Sequence, residues 1–292
     1  MLANCLGWEY SQIVNGWENE YADAGVADAS LRPAVAPIRL SVAYPLTATT
    51  AAPTSGGRLE GRAVSARTAL CYNDGAMAEK RVVVLDYGAG NLRSVARAVE
   101  HVGFQPEVTS DARALDSAAA VVMPGVGAAA DTMRHLQEHG FVEPLREYIL
   151  AGRPFLGVCM GLQALLTVSE EGGEHPCLDI VPGRVRRLPS TNGAGAEGRL
   201  KIPHMGWNRV EQLREHPVFA GIPNGSYFYF VHGYYPDPED QSLVIGRTEY
   251  GVSFASVIAR DGLVATQFHP EKSGRVGLQL YRNFLTAACG EP

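Results

Sequence analysis

The chain has 292 residues, 46% of them hydrophobic, so it can bury a sizeable core as one large domain or two modest ones. Its formal net charge of -6 argues against a nucleic-acid surface, which needs a basic stripe, and no apolar run approaches the ~20 residues that span a bilayer. Five cysteines, Cys5, Cys71, Cys159, Cys177 and Cys289, are scattered with no CxxC spacing, which fits a reducing, cytoplasmic compartment rather than a disulfide scaffold or a zinc site.

Residues 22–70 are rich in Ala, Pro, Thr, Ser and Gly and carry little periodicity. Such a stretch has too little apolar surface to offset its conformational entropy. No basic start leads into an apolar core, and Glu9, Glu18, Glu20, Asp23 and Asp28 are acidic, so it reads as neither signal nor transit peptide. The expectation is a disordered or spurious extension over 1–79 and a working domain over 80–290, starting near Met77.

From Lys80 on, the punctuation is regular. Residues 81–86 (RVVVLD) predict a buried strand. Leu92, Val95, Val99 and Val102 predict a helix over 91–103, with Gly103 as its C-cap. A second strand is predicted at 119–123 (AAVVM), helices at 128–139 and 143–151, a third strand at 154–158 (PFLGV), and a helix from 160 to about 168. Short buried strands alternating with helices predict an α/β fold, an open and mostly parallel sheet with helices on both faces. The second half adds strands, expected to be antiparallel, at 184–188, 207–212, 226–234, 242–248, 253–259 and 263–269. Arg260-Asp261-Gly262 is a hairpin signal joining the last two. Residues 192–198 (NGAGAEG) read as a loop, and 275–288 as a final amphipathic helix.

Gly157-Val158-Cys159-Met160-Gly161 falls where the third strand meets a helix. A nucleophile there sits on a sharp strand-to-helix turn, and flanking glycines leave room for that backbone. A helix start also favours a thiolate. Cys159 is therefore the candidate nucleophile. A thiolate enzyme needs an imidazole, and His269 closes an apolar strand ahead of Pro270-Glu271. In extended backbone, residues two apart share a side, so Glu271 can fix the His269 tautomer, with Pro270 stiffening the link. The Pro124-Gly125-Val126-Gly127 turn follows the second strand, where an open α/β sheet keeps its ligands. The N–H groups of Val126, Gly127 and Met160 are candidate oxyanion donors. The stretch 125–130 also matches the dinucleotide fingerprint G-x-G-x-x-A, but no acidic residue ends a next strand about 20 residues on.

Together, 157–161 with Gln163, the 124–127 turn and His269-Pro270-Glu271 resemble a class I, triad-type glutamine amidotransferase. The resemblance runs from Arg81 to about Leu285. Pro203-His204-Met205-Gly206-Trp207-Asn208, Tyr229-Phe230-Val231-His232 and 268–274 (FHPEKSG) are most similar to glutaminase subunits of imidazole glycerol phosphate synthase, although Gly233 stands where those commonly carry Ser or Thr. The resemblance implies that Cys159, His269 and Glu271 release ammonia from glutamine through a thioester. It further implies that Gly125, Gln163 and the backbone of Val231 and His232 line the glutamine pocket. Its partner would be a (β/α)8 cyclase subunit forming a heterodimer, with no metal or organic cofactor. Another class I amidotransferase, a free-standing γ-glutamyl hydrolase and a non-catalytic docking module are the alternatives.

Overall fold

The computed structural model describes residues 81–88, 90–190 and 200–292. In chain order its elements are β1 (Val82–Leu85), α1 (Leu92–His101), β2 (Pro106–Thr109), β3 (Ala120–Met123), α2 (Ala129–Glu138), α3 (Val142–Leu150), β4 (Phe155–Val158), α4 (Met160–Gln163), β5 (Leu166–Ser169), β6 (His175–Pro176), β7 (Val181–Arg187), β8 (His204–Arg209), β9 (Glu211–Gln212), β10 (Tyr227–His232), β11 (Tyr234–Pro238), β12 (Val244–Glu249), β13 (Ser253–Arg260), β14 (Leu263–Thr266) and α5 (Gly274–Cys289). The expectations for 1–79 and 192–198 lie outside the described residues.

β1 is buried along its whole length. Side chains of a strand alternate between the two sides of a sheet, so a strand of this kind needs cover on both. Val82 and Val84 enter one cluster with Val95 and Val99 of α1 and Leu280, Phe284 and Leu285 of α5. Val83 and Leu85 enter another with Leu136 of α2 and Leu145, Tyr148 and Ile149 of α3. β3 repeats the alternation: Ala120 and Val122 face the first cluster, Val121 and Met123 the second. The main sheet among the described residues has the order β2-β1-β3-β4-β14-β13-β12-β9. β2 to β14 in that order are parallel, and β13, β12 and β9 add antiparallel pairing. A β10-β8 ribbon packs Phe228 and Phe230 into the first cluster, and a β11-β7-β5-β6 sheet packs Leu166, Val181 and Val185 into the second.

The predicted α/β sheet with added antiparallel strands is what forms, with local differences. The helix expected to reach 168 stops at Gln163, and Leu166–Ser169 is β5. Pairing of Leu166 with Val181 and Val168 with Arg184 overrides the helical spacing, helped by β-branched Thr167 and Val168. β2 escaped the sequence reading because it is a short, polar edge strand opening on Pro106, the composition that blunts sheet edges. The expected strand at 226–234 is two strands in different sheets, β10 on β8 and β11 on β7, parted at Gly233. Similarly, 207–212 divides into β8 and β9 around Val210, and 242–248 opens with a 3-10 turn before β12.

Candidate active site

β4 and β14 are parallel neighbours with Val158 opposite Thr266, and the Cys159 N–H donates to the Thr266 carbonyl at 2.7 Å. The segments leaving these strands therefore leave side by side, Cys159 from one and Gln267-Phe268-His269 from the other. Loops leaving β3 and β1, next in the sheet, carry the 124–127 turn and Asn91. The carboxyl edge of four adjacent parallel strands is where an open α/β sheet places a ligand site.

Cys159 has φ 55 and ψ -103, a region that costs a Cβ-bearing residue about 1–3 kcal/mol and clusters at functional sites. The flanking glycines are required by close approach. A Cβ on Gly157 would stand 2.7 Å from the Gly161 carbonyl oxygen, and one on Gly161 2.2 Å from the Met123 oxygen. The sharp turn foreseen in the sequence is present; the helix behind it is only α4, four residues long. One turn aligns few peptide dipoles, so support for a thiolate must come from side chains. The strain makes a prediction. Cys159→Gly should be more stable than Cys159→Ala, by about 1 kcal/mol or more, reversing the usual preference for alanine. Equal or inverted midpoints in urea unfolding would remove the strain argument.

His269 is wholly buried. Its N–H donates to the Tyr229 carbonyl at 2.9 Å. Its carbonyl accepts from Ser273 Oγ at 2.6 Å, and the same Oγ accepts from the Tyr229 N–H at 3.0 Å. With its backbone so held, the ring places Nδ1 2.7 Å from Glu271 Oε1. The extended link expected between them is absent, since Pro270–Lys272 is a 3-10 turn. The turn, not strand alternation, folds Glu271 back onto the ring. Nε2 has no hydrogen-bond partner of normal geometry among the described residues, yet it lies close enough to the Cys159 thiol to be coupled to it. Burial pulls the imidazole pKa down, but the Glu271 carboxylate and Cys159 outweigh it and hold the pKa up at about 10. Burial pushes the Glu271 carboxyl up, yet the facing His269 keeps it below its ordinary 4.5. The arrangement suits an imidazolium backed by a carboxylate, with its Nε2 side toward the Cys159 sulfur.

Two residues of the site were not singled out in the sequence. Asn91 precedes α1 in the left-handed conformation, φ 81, and makes no side-chain cap; its Nδ2 donates instead to Glu271 Oε1. Gln267, fully buried, sets Nε2 3.6 Å from Cys159 Sγ. Asparagine before a helix reads ordinarily as a cap, but a lone amide inside the apolar run 263–268 was a usable signal.

The 124–127 turn lies against the nucleophile. Tyr87 Oη donates to the Pro124 carbonyl at 2.6 Å, and a Cβ on Gly125 would meet Met160 Cβ at 2.4 Å. Gly127 has φ +103, and Val126 packs toward Gly90 of the β1–α1 loop. At the start of α2 the Ala129 N–H is taken by the Glu171 carboxylate at 2.8 Å. That helix end is thus occupied by the protein's own anion, which counts against the dinucleotide reading.

The expected pocket residues divide. Gln163 Nε2 donates to the Tyr234 carbonyl at 2.9 Å and to Gln267 Oε1 at 3.0 Å, leaving Oε1 without a partner among the described residues. Val231 is half-buried on β10 opposite Met205. His232 is committed elsewhere. Its Nδ1 faces the Tyr234 carbonyl at 2.8 Å and its Nε2 faces His204 Nδ1 at 3.0 Å. A carbonyl only accepts, so His232 carries its proton on Nδ1, and His204 donates to Nε2 while accepting from Asn208 at 3.3 Å. Burial lowers the two pKa values to about 3 for His232 and about 4 for His204, in keeping with neutral rings. The His232 ring is a structural link, and only its backbone remains for a ligand.

Residues 83–288 match the family described as Glutamine amidotransferase class-I. The chain is 47% identical over 210 residues to the imidazole glycerol phosphate synthase subunit HisH of Dehalococcoides mccartyi, covering 72% of this chain and 98% of that one. It is 51% identical over 207 residues to the HisH subunit of Chloroflexus aurantiacus, covering 70% and 94%. A crystal structure of a glutamine amidotransferase superposes with a TM-score of 0.54 at 19% identity, covering 70% of this chain and 98% of that chain. One from Thermotoga maritima gives 0.53 at 15%, covering 72% and 98%; at such identities these two speak for the fold alone. The chain belongs to the class I glutamine amidotransferase family.

Proposed function

We propose that this chain is the glutaminase subunit of an imidazole glycerol phosphate synthase, supplying ammonia from glutamine during histidine biosynthesis. The observation that carries the reading is identity of 47–51% to subunits of that name over at least 94% of their length. The family match beginning at residue 83 supports a working domain over 80–290. The thiols of Cys159 and Cys177, which form no disulfide, support a cytoplasmic setting, and no helix among the described residues is long and apolar enough to cross a membrane.

In the proposed mechanism the Cys159 thiolate attacks the side-chain carbonyl carbon of glutamine. The oxyanion that forms is met by N–H groups of the 124–127 turn and of Met160. His269, protonated, gives its Nε2 proton to the leaving amine, so ammonia departs and a γ-glutamyl thioester remains. The neutral imidazole then takes a proton from water, which attacks the thioester and yields glutamate and free thiolate. Glu271, steadied by Asn91, holds the tautomer. Gly125, the backbone of Val231 and His232, and the free Oε1 of Gln163 are the pocket we assign to glutamine. Ammonia is mostly protonated in neutral water and then not nucleophilic, so a dry passage into a partner preserves its reactivity. The partner we infer is a (β/α)8 cyclase subunit, docked as a heterodimer on the face carrying the triad.

The test is co-purification with a cyclase, followed by glutamine hydrolysis measured alone and with the cyclase and its nucleotide substrate. Stimulation of about 10-fold or more, within the usual range of site-to-site coupling, is the expected result. Equal rates would favour a free-standing hydrolase. Within the 124–127 turn, Val126→Pro removes one N–H donor. Turnover should fall roughly 100- to 1000-fold with the KM for glutamine little changed. Normal turnover would exclude Val126 as a donor.

A further inference from the structure

Gln267 follows the last residue of β14, and its N–H is held by the Ser256 carbonyl at 2.9 Å. Its side chain is wholly buried, and which end of the amide faces Cys159 can be worked out from its neighbours. Gln163 stands 2.9 Å from the Tyr234 carbonyl, and a backbone carbonyl accepts only, so the NH2 end of Gln163 points there. That same NH2 group lies 3.0 Å from one terminal atom of Gln267. The atom it meets must be an acceptor, hence Oε1. The NH2 end of Gln267 is left facing Cys159 Sγ at 3.6 Å, an ordinary separation for a bond to sulfur, whose radius exceeds that of oxygen. Turning either amide over would oppose donor to donor or acceptor to acceptor in a buried place, which is costly.

A donor aimed at a titrating atom favours its charged form. With α4 only one turn long, few helix dipoles point at the sulfur. We propose that Gln267 is a further catalytic residue, donating its side-chain amide to the Cys159 sulfur and holding it as the thiolate, with Gln163 as the positioning residue that orients the amide. This deepens the assignment of Cys159 as nucleophile and rests on it.

The experiment is the pH profile of Cys159 alkylation by iodoacetamide in the full chain, with Cys159→Ala as the blank for the other thiols. Gln267→Met removes the donor at similar length, and its alkylation midpoint should rise by about one pH unit or more. Gln267→Glu keeps the shape and sets a carboxylate against the sulfur, so its midpoint should rise further. If the methionine variant does not fold, the glutamate variant carries the test. A merely structural glutamine would alter stability and leave the midpoint in place. An unmoved midpoint in either folded variant overturns the proposal. Glutamine hydrolysis by the Cys159→Ala blank separates the two failures. If the blank is inactive while the midpoint stays put, only the role of Gln267 falls; an active blank removes the nucleophile itself.

Discussion

Replacing Cys159 with alanine should lower glutamine hydrolysis by about 10⁵- to 10⁶-fold, the scale seen when a covalent nucleophile is removed from a site whose parts act as a unit. In the proposed mechanism the acyl intermediate forms on the Cys159 sulfur. His269 is a base without a thiol to serve, and the 124–127 turn and Met160 would face an oxyanion that no longer forms. The fold should survive. The alanine Cβ keeps the same strained backbone, and the loss is one sulfur in a side chain already 5% exposed, a change of about 1 kcal/mol. The measurement is glutamate release from purified variant, beside use of added ammonia by the complex with its cyclase. Ammonia-driven turnover should persist, because the proposed assignment gives that chemistry to the cyclase partner. Residual glutaminase above roughly a hundredth of wild type would mean that the thioester route is wrong.

What the sequence disclosed follows from the range of the forces involved. The sheet was legible because β1, β3 and β4 are buried on both faces, and uninterrupted apolar runs are the signature of such strands. Cys159 was legible because two glycines around one thiol at a strand end have few other uses. The pairing of His269 with Glu271 was expected for a partly mistaken reason, since a 3-10 turn rather than alternation joins them. The helix expected behind Cys159 was overlong because the pairing that makes β5 a strand comes from Val181 and beyond. Asn91 and Gln267 were passed over for a related cause. Asn91 meets Glu271 across 180 positions, and Gln267 meets Cys159 across 108, so neither leaves a local pattern. The ring of His232 was the reverse case. The resemblance alone put it beside the expected glutamine pocket, and the proton order that ties its ring to Tyr234 and His204 requires the folded register of β8 on β10.

Glu271→Gln should lower turnover by on the order of 10³- to 10⁴-fold, the loss typical when the residue orienting a catalytic imidazole becomes an amide. The glutamine side chain can still occupy the space and accept from Asn91, so the geometry should hold while the electrostatics fail. In the native site burial pulls the His269 pKa down, and the charge of Glu271, with Cys159, carries it up to about 10. Without the carboxylate the largest opposing influence is gone and burial prevails, so the ring should be neutral at pH 7 and unable to protonate the leaving amine. Stability should register the same change with a definite sign. A folded pKa above the unfolded 6.5 gives stability that is complete below 6.5 and lost as pH rises toward 10. Glu271, held below 4.5, adds stability present above 4.5 and lost as pH falls through its lowered value. In the variant the first relation reverses. A ring kept neutral by burial stabilises the fold above 6.5 and loses that contribution as pH falls through its lowered folded pKa. Urea unfolding between pH 5 and 9 should therefore show the contribution of this pair decreasing with pH in wild type. Relative to wild type, the variant should gain stability as pH rises. Parallel curves for the two proteins would mean that Glu271 does not set the charge on His269, and a catalytic loss would then need a purely steric cause.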